Sequence, residues 1–280
     1  MADSFSLLLF ADHYMPSNTK RITVPTFVGM KAAGQRIAML TAYDYPTAMR
    51  LDAAGVDALL IGDTLGMVVQ GHETTLPVSV DQMIYHAEMV ARAVRHALVV
   101  IDMPFPTFHL GISRTIEIAG RMLKESRCQA VKLEGGAQQA DVIGSLVGAG
   151  IPVMAHCGLR PQSVHVLGGY KVQRDEEGLL RDALAVEAAG AFAVVLECIP
   201  AGVATRISAQ LKIPTIGIGA GAGCDGQVLV THDLLGLTIG RTPRFVRKYA
   251  DLGKATQDAA EAYSNDVRAG TFPGPDETLN

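Results

Sequence analysis

The stretch Gln129-Ala130-Val131-Lys132-Leu133-Glu134-Gly135-Gly136 decides how the rest of the chain is read. It is an apolar run that stops on a carboxylate and then on two glycines. On a β-strand, alternate side chains share a face, so Lys132 and Glu134 project to the same side, one step apart. A cation and an anion at the end of a strand, followed by permissive backbone, suit either a functional site or an ion pair beside a turn.

The same pattern recurs along the chain. Strands are expected at 37–44, 57–63, 97–102, 129–134, 151–156, 192–197, 213–219 and 227–230. Helices are expected at 26–35, 46–54, 80–94, 114–125, 140–147, 179–189 and 201–211, with helix-like segments from Thr231 onward. Segments such as "AAGV", "GAGIPV" and "AAGAFAVV" show a helix stopping at Gly before the next strand starts. Strands that are apolar throughout, alternating with amphipathic helices, mean a parallel sheet covered on both sides. Eight such units, each a strand followed by a helix or a loop and helix, fit an α/β (β/α)8 TIM barrel. The expected organisation is a disordered arm over residues 1–20, one barrel domain over 21–270 with a short N-terminal helix and a C-terminal helical extension, and a tail over 271–280.

Composition excludes several classes. The 280 residues are 49% hydrophobic and carry a net charge of −4. That is ample apolar material for a core, with no electrostatic footprint for nucleic acid. The four cysteines have no CxxC spacing, so neither a zinc ribbon nor a disulfide framework is suggested. The run Phe5–Phe10 is too short to span a bilayer and follows Asp3 rather than a basic segment. A cytoplasmic protein with no membrane or nucleic-acid partner is expected.

Collecting the strand ends gives Asp44, Asp63, Asp102, Glu134, His156 and Glu197. In a barrel these ends meet at one face, the face that carries active sites. Carboxylates converging on a small mouth repel one another unless a cation neutralises them, and oxygen-rich ligation favours Mg²⁺ or Mn²⁺. Each residue also has a plainer reading. Asp44 suits the N-cap of the following helix, and Asp63, Asp102 and Glu197 could cap as well. His156 could be a hydrogen-bonded core histidine. The glycines at 217, 219, 221 and 223 lack the lysine of a P-loop and suit a tight turn.

These residues also carry a family resemblance. Thr41–Tyr45, Gly62-Asp63-Thr64-Leu65-Gly66-Met67, Asp102-Met103-Pro104-Phe105, Val131–Gly136, Pro161–Val164, Gly168–Gln173, Leu196–Pro200, Ile216–Gly221 and Asp225-Gly226-Gln227 occur in order over nearly the whole chain. Together they resemble the ketopantoate hydroxymethyltransferase family. The resemblance implies transfer of a hydroxymethyl group from 5,10-methylenetetrahydrofolate to 3-methyl-2-oxobutanoate, giving 2-dehydropantoate through a Mg²⁺-stabilised enolate, in pantothenate and coenzyme A synthesis. It further implies Asp63, Asp102 and Glu134 at the metal, with Asp63, Thr64, Asp102, Lys132 and His156 at the oxo acid. Glu197 would be the proton acceptor, and the assembly a homodecamer, a pentamer of dimers. Two positions depart from the family pattern. Thr64 stands where Ser is frequent, and Arg174-Asp175-Glu176 follows Gln173 where Gly is usual. Rival readings are a phosphoenolpyruvate mutase or isocitrate lyase type of enzyme, a Schiff-base aldolase using Lys132, and a silent barrel that only binds an oxo acid.

Overall fold

The structure, a computed structural model, describes residues 20–240 and 242–279. The expected arm over residues 1–20 therefore lies outside the described residues, Lys20 excepted. The described chain falls into two compact units that divide between Val228 and Leu229.

The first unit begins with α1 (Val24–Ala32) and β1 (Ile37–Thr41), then α2 (Tyr45–Ala53), β2 (Ala58–Ile61), α3 (Leu65–Val68), α4 (Val80–Ala93), β3 (Leu98–Asp102), α5 (Ile112–Ser126) and β4 (Ala130–Glu134). It continues with α6 (Ala140–Gly148), β5 (Val153–Gly158), α7 (Val164–Leu167), α8 (Glu176–Ala188), β6 (Ala193–Glu197), α9 (Ala201–Gln210), β7 (Thr215–Ile218) and β8 (Gly226–Leu229). The eight strands close into a barrel in sequence order, with parallel pairing between consecutive strands from β1 to β8. The Ile37 N–H donates to the Asp225 carbonyl at 3.1 Å, next to the start of β8.

Two apolar cores follow from strand alternation. One side of each strand faces the helices: Leu59, Ile61, Val99, Ile101, Val131, Leu133, Val153, Ala155, Val194 and Leu196 pack there with Met83, Val90, Met122 and Ile207. The other side fills the barrel interior with Met39, Ala58, Leu60, Leu98, Val100, Ala130, Met154, Ala193, Val195 and Ile216. Phe27 and Met30 of α1 belong to this interior cluster, and the Phe27 ring meets Phe192 edge-on at 5.8 Å. The first helix thus plugs the end of the barrel opposite the strand C-termini.

Local chemistry sets the helix starts. Asp44 accepts from the Thr47 N–H at 2.8 Å and caps α2, as its position ahead of Pro46 suggests. Ser79 and Gln82 form a reciprocal capping box at α4, and Asp175 caps α8. The regular unit fails once. No helix separates β7 from β8, where only residues 219–225 intervene. Gly219 and Gly221 take φ of +62° and +80° in that loop, which turns tightly instead of forming a helix. The loop between β2 and α4 also contains the short helix α3, which residue patterning alone does not signal.

The second unit contains α10 (Thr231–Leu234) and the long helix α11 (Leu252–Ala269). The Tyr249 N–H donates to the Leu234 carbonyl, and Phe272 packs edge-on against Tyr263 at 5.3 Å. None of the α11 residues is buried. Among the described residues, no helix is long and apolar enough to cross a membrane.

One buried acid has a purely architectural task. Asp52, near the end of α2, accepts from the backbone N–H groups of Arg95, His96 and Ala97, two of them at 2.8 Å, just before β3 begins. Asp52→Asn puts an NH₂ group against these donors. It should lower the unfolding free energy by roughly 1–3 kcal/mol in urea melts; an unchanged midpoint would contradict this role.

Candidate active site

The site continues the interior alternation past the point where the core ends. Val100 is followed on its face by Asp102, Ala130 by Lys132 and then Glu134, Met154 by His156, and Val195 by Glu197. Interstrand register then sets neighbours: Asp102 pairs with Lys132, Glu134 with His156, and Gly158 with Glu197. Asp63 lies two residues beyond β2, in the turn that opens α3. The structure therefore brings Asp63, Asp102, Lys132, Glu134, His156 and Glu197 to one end of the barrel. Asp44, by contrast, is spent on its helix cap.

Burial is severe. Asp63, Asp102, Lys132, Glu134 and His156 are each less than 5% exposed, whereas the Glu197 side chain retains 17%. Lys132 Nζ donates to Asp102 Oδ1 at 2.6 Å. The other Asp102 oxygen accepts from the Asp63 N–H at 3.2 Å. Thr64 stands beside this pair: a Cβ added at Gly62 would lie 3.6 Å from Asp102 Oδ2 and 3.7 Å from Thr64 Oγ1.

Gln162 joins the remaining carboxylates, and sequence reasoning gives it no role. It sits in the turn Pro161–Ser163 after β5. Its backbone N–H donates to Glu134 Oε2 at 3.0 Å, and its Nε2 donates to Asp63 Oδ2 at 2.8 Å. The only sequence signal was the segment Pro161–Val164, since a loop glutamine fits none of the strand-end patterns.

Electrostatics follow from four buried acids facing one ammonium. Burial, with Asp102 adding to it, raises the Asp63 carboxyl to about 7. Burial, then Asp63, holds Glu134 well above the usual carboxylate range. Glu197 is pushed up to about 8, first by burial and further by Asp63 and Asp102, against the opposing pull of Lys132. For Lys132, burial favours the neutral amine, but Asp102, Glu134 and Asp63 together outweigh it and the net direction is upward. The ammonium therefore stays charged.

His156 is held neutral by burial and by Lys132. Its Nε2 lies 2.6 Å from the Leu159 carbonyl, an acceptor, which assigns the hydrogen to Nε2. Glu197 Oε2 is 3.5 Å from the same nitrogen. Nδ1 is then a bare acceptor, buried and without a hydrogen-bond partner among the described residues. Glu197 is set by a strained turn. Cys198 takes φ of +48°, unusual for a non-glycine residue. Its N–H donates to the Ile218 carbonyl and its carbonyl accepts from the Gln173 N–H. Gly158, at φ +99°, leaves room for the Glu197 carbonyl, which a Cβ there would meet at 2.3 Å.

Among the described residues, no three His, Cys, Asp or Glu side chains form a ready-made metal cage. The donor set is nevertheless all oxygen, and its acids outnumber the one ammonium, so that a bound cation would favour their ionised forms. Such a set suits a hard divalent cation, which needs only one or two protein carboxylates and completes its shell with water and substrate oxygens.

Comparison with solved structures places the barrel. It matches phosphonopyruvate hydrolase with a TM-score of 0.61 at 12% identity, covering 92% of each chain. It matches 2,3-dimethylmalate lyase, a PEP mutase/isocitrate lyase superfamily member, with a TM-score of 0.59 at 18% identity, again covering 92% of each chain. At such identities the likeness concerns the fold alone. Sequence relatives are far nearer. The chain is 60% identical to the 3-methyl-2-oxobutanoate hydroxymethyltransferase of Rhodopirellula baltica, over 92% of this chain and 96% of that one. It is 56% identical to the enzyme of the same name from Desulforapulum autotrophicum, over 90% and 96%. The profile of ketopantoate hydroxymethyltransferase matches residues 21–275. With relatives this similar over nearly its whole length, and with acids, lysine and histidine gathered at the catalytic end of the barrel, the chain belongs to the ketopantoate hydroxymethyltransferase family.

Proposed function

We propose that the protein transfers a hydroxymethyl group from 5,10-methylenetetrahydrofolate to 3-methyl-2-oxobutanoate, giving 2-dehydropantoate. The overall chemistry balances with one water: oxo acid, methylenetetrahydrofolate and water yield 2-dehydropantoate and tetrahydrofolate. The observation that carries this reading is a largely buried carboxylate, Glu197, that keeps some access to solvent beside a buried acid cluster with a single ammonium.

Asp63, Asp102 and Glu134 would hold Mg²⁺, with Asp63, Thr64, Asp102 and Lys132 contacting the oxo acid. When bound, Mg²⁺ supplies Lewis acidity at the ketone. Glu197 takes the proton from C3 of the oxo acid. Its raised pKa makes it a stronger base than an ordinary carboxylate, at the cost of needing higher pH to be ionised. Lys132 adds positive potential where the enolate oxygen develops negative charge. Water releases the methylene from both folate nitrogens as formaldehyde, leaving tetrahydrofolate. The enolate carbon adds to the formaldehyde carbon, and the former carbonyl oxygen of formaldehyde takes a proton to become the product hydroxyl. Neutral His156 offers Nδ1 as an acceptor for the hydroxyl of the product.

Further parts of the reading rest on the family. Self-association into a decamer, a pentamer of dimers, is what the family resemblance implies. A cytoplasmic location is likewise part of this reading. Sedimentation analysis should give the mass of ten chains; a monomer at micromolar concentration would count against the decamer.

Turnover with methylenetetrahydrofolate and 3-methyl-2-oxobutanoate is the first test, and inactivity with Mg²⁺ present would sink the assignment. Glu197→Gln should bind the oxo acid but fail to exchange its C3 proton for solvent deuterium, by NMR. Normal exchange would remove Glu197 from the role. In the parent, exchange should rise with pH through about 8 as Glu197 ionises.

Stability gives a second handle on the same cluster. The Asp63 carboxyl moves from an ordinary 3.8 to about 7 in the folded chain. Its contribution is therefore fully present below about 4 and is lost as pH rises through 7. In metal-free protein, Asp63→Asn should gain stability relative to the parent as pH rises from 4 to 8. A difference independent of pH would show that Asp63 does not titrate in this way.

A further inference from the structure

Gln162 lies outside every strand, yet it is only 7% exposed and touches two arms of the acid cluster. Its backbone N–H holds Glu134, and its Nε2 donates both to Asp63 Oδ2 and to the Met103 carbonyl, the latter at 3.1 Å. Two acceptors against Nε2 fix the amide the right way round, because the flipped form would set Oε1 against both of them. The orientation leaves Oε1 buried and without a hydrogen-bond partner among the described residues. A buried carbonyl gives up its hydration on folding, and native structures keep one bare chiefly where something other than the chain meets it.

The missing partner has to be a donor. The groups that the Gln162 amide touches are acceptors, and the Lys132 ammonium donates to Asp102 and not to Gln162. The oxo acid brings a carboxylate and a ketone, which are acceptors too. Water on a hard divalent cation is a strong donor, and Mg²⁺ usually retains several waters when bound to protein. We propose that Gln162 is a positioning residue for that cation: its Nε2 fixes the Asp63 carboxylate, and its Oε1 accepts a hydrogen bond from a water carried by the metal.

This inference rests on the metal reading of the preceding subsection. It adds a link between the cation and the turn after β5. The link is separable from Glu134, because that residue is held by the Gln162 backbone N–H, which any substitution except proline retains.

The test is Mn²⁺ titration followed by electron paramagnetic resonance, without either substrate. Gln162→Met keeps length and bulk while removing both polar ends of the amide. It should bind Mn²⁺ roughly 10–100-fold more weakly than the parent. Turnover should recover toward the parent value at saturating Mg²⁺, and the KM for methylenetetrahydrofolate should stay unchanged. A merely structural defect would not be cured by metal. Thermal melting of the metal-free variant checks that it folds; if it does not, Gln162→Asn, which withdraws the amide by one methylene, should weaken Mn²⁺ in the same direction. A folded variant with parental Mn²⁺ affinity overturns the role of Gln162 alone. A parent protein that binds no Mn²⁺ overturns both this inference and the metal reading beneath it.

Discussion

The arrangement at the barrel mouth depends on one imbalance: Asp63, Asp102, Glu134 and Glu197 face a single ammonium, Lys132, in a space almost sealed from water. The Lys132–Asp102 contact of 2.6 Å satisfies one acid. The others are held by hydrogen bonds from Gln162, or, for Glu197, by partial access to solvent. Buried charges without full compensation are costly, and raised carboxyl pKa values register that cost in this chain. A fold optimised only for stability would replace these acids with apolar side chains, as it does two residues before Asp102 and Glu197, at Val100 and Val195. Their retention marks the place where stability has been given up for chemistry.

Much of this was legible in the sequence, because the strands announce themselves. Runs such as Leu98–Asp102 and Ala130–Glu134 are apolar and end in acids, and the order of eight such units leaves little choice but a closed parallel barrel. The cap at Asp44 could be read from the following Pro46. The parts that escaped were those fixed by tertiary contact. Gln162 looks like any polar loop residue until the turn after β5 is folded over Asp63 and Glu134. The tautomer of His156 depends on the Leu159 carbonyl, which no spacing rule brings near. The tight turn between β7 and β8, by contrast, was legible in the glycines at 217, 219, 221 and 223.

The structural neighbours show how far fold alone carries. A barrel superposing on phosphonopyruvate hydrolase and 2,3-dimethylmalate lyase is common to several chemistries. What assigns this chain is sequence: 60% and 56% identity to two 3-methyl-2-oxobutanoate hydroxymethyltransferases, against 18% and 12% to these neighbours. The left-handed Cys198 after Glu197 is a poor choice for a turn, and its two hydrogen bonds, to Ile218 and from Gln173, show the surroundings holding it there.

The continuity between the interior core and the site has one more consequence. Ala130, Lys132 and Glu134 share a face because β4 alternates, and that same alternation places Val131 and Leu133 against the helices. Insertion or deletion of a single residue within such a strand would exchange the two faces beyond it, driving the ammonium and carboxylate into the oily layer and turning leucine toward the substrate. Core and catalytic groups are thus written in one reading frame. Changes of length should be confined to the loops, while the strands of this enzyme can vary only by substitution.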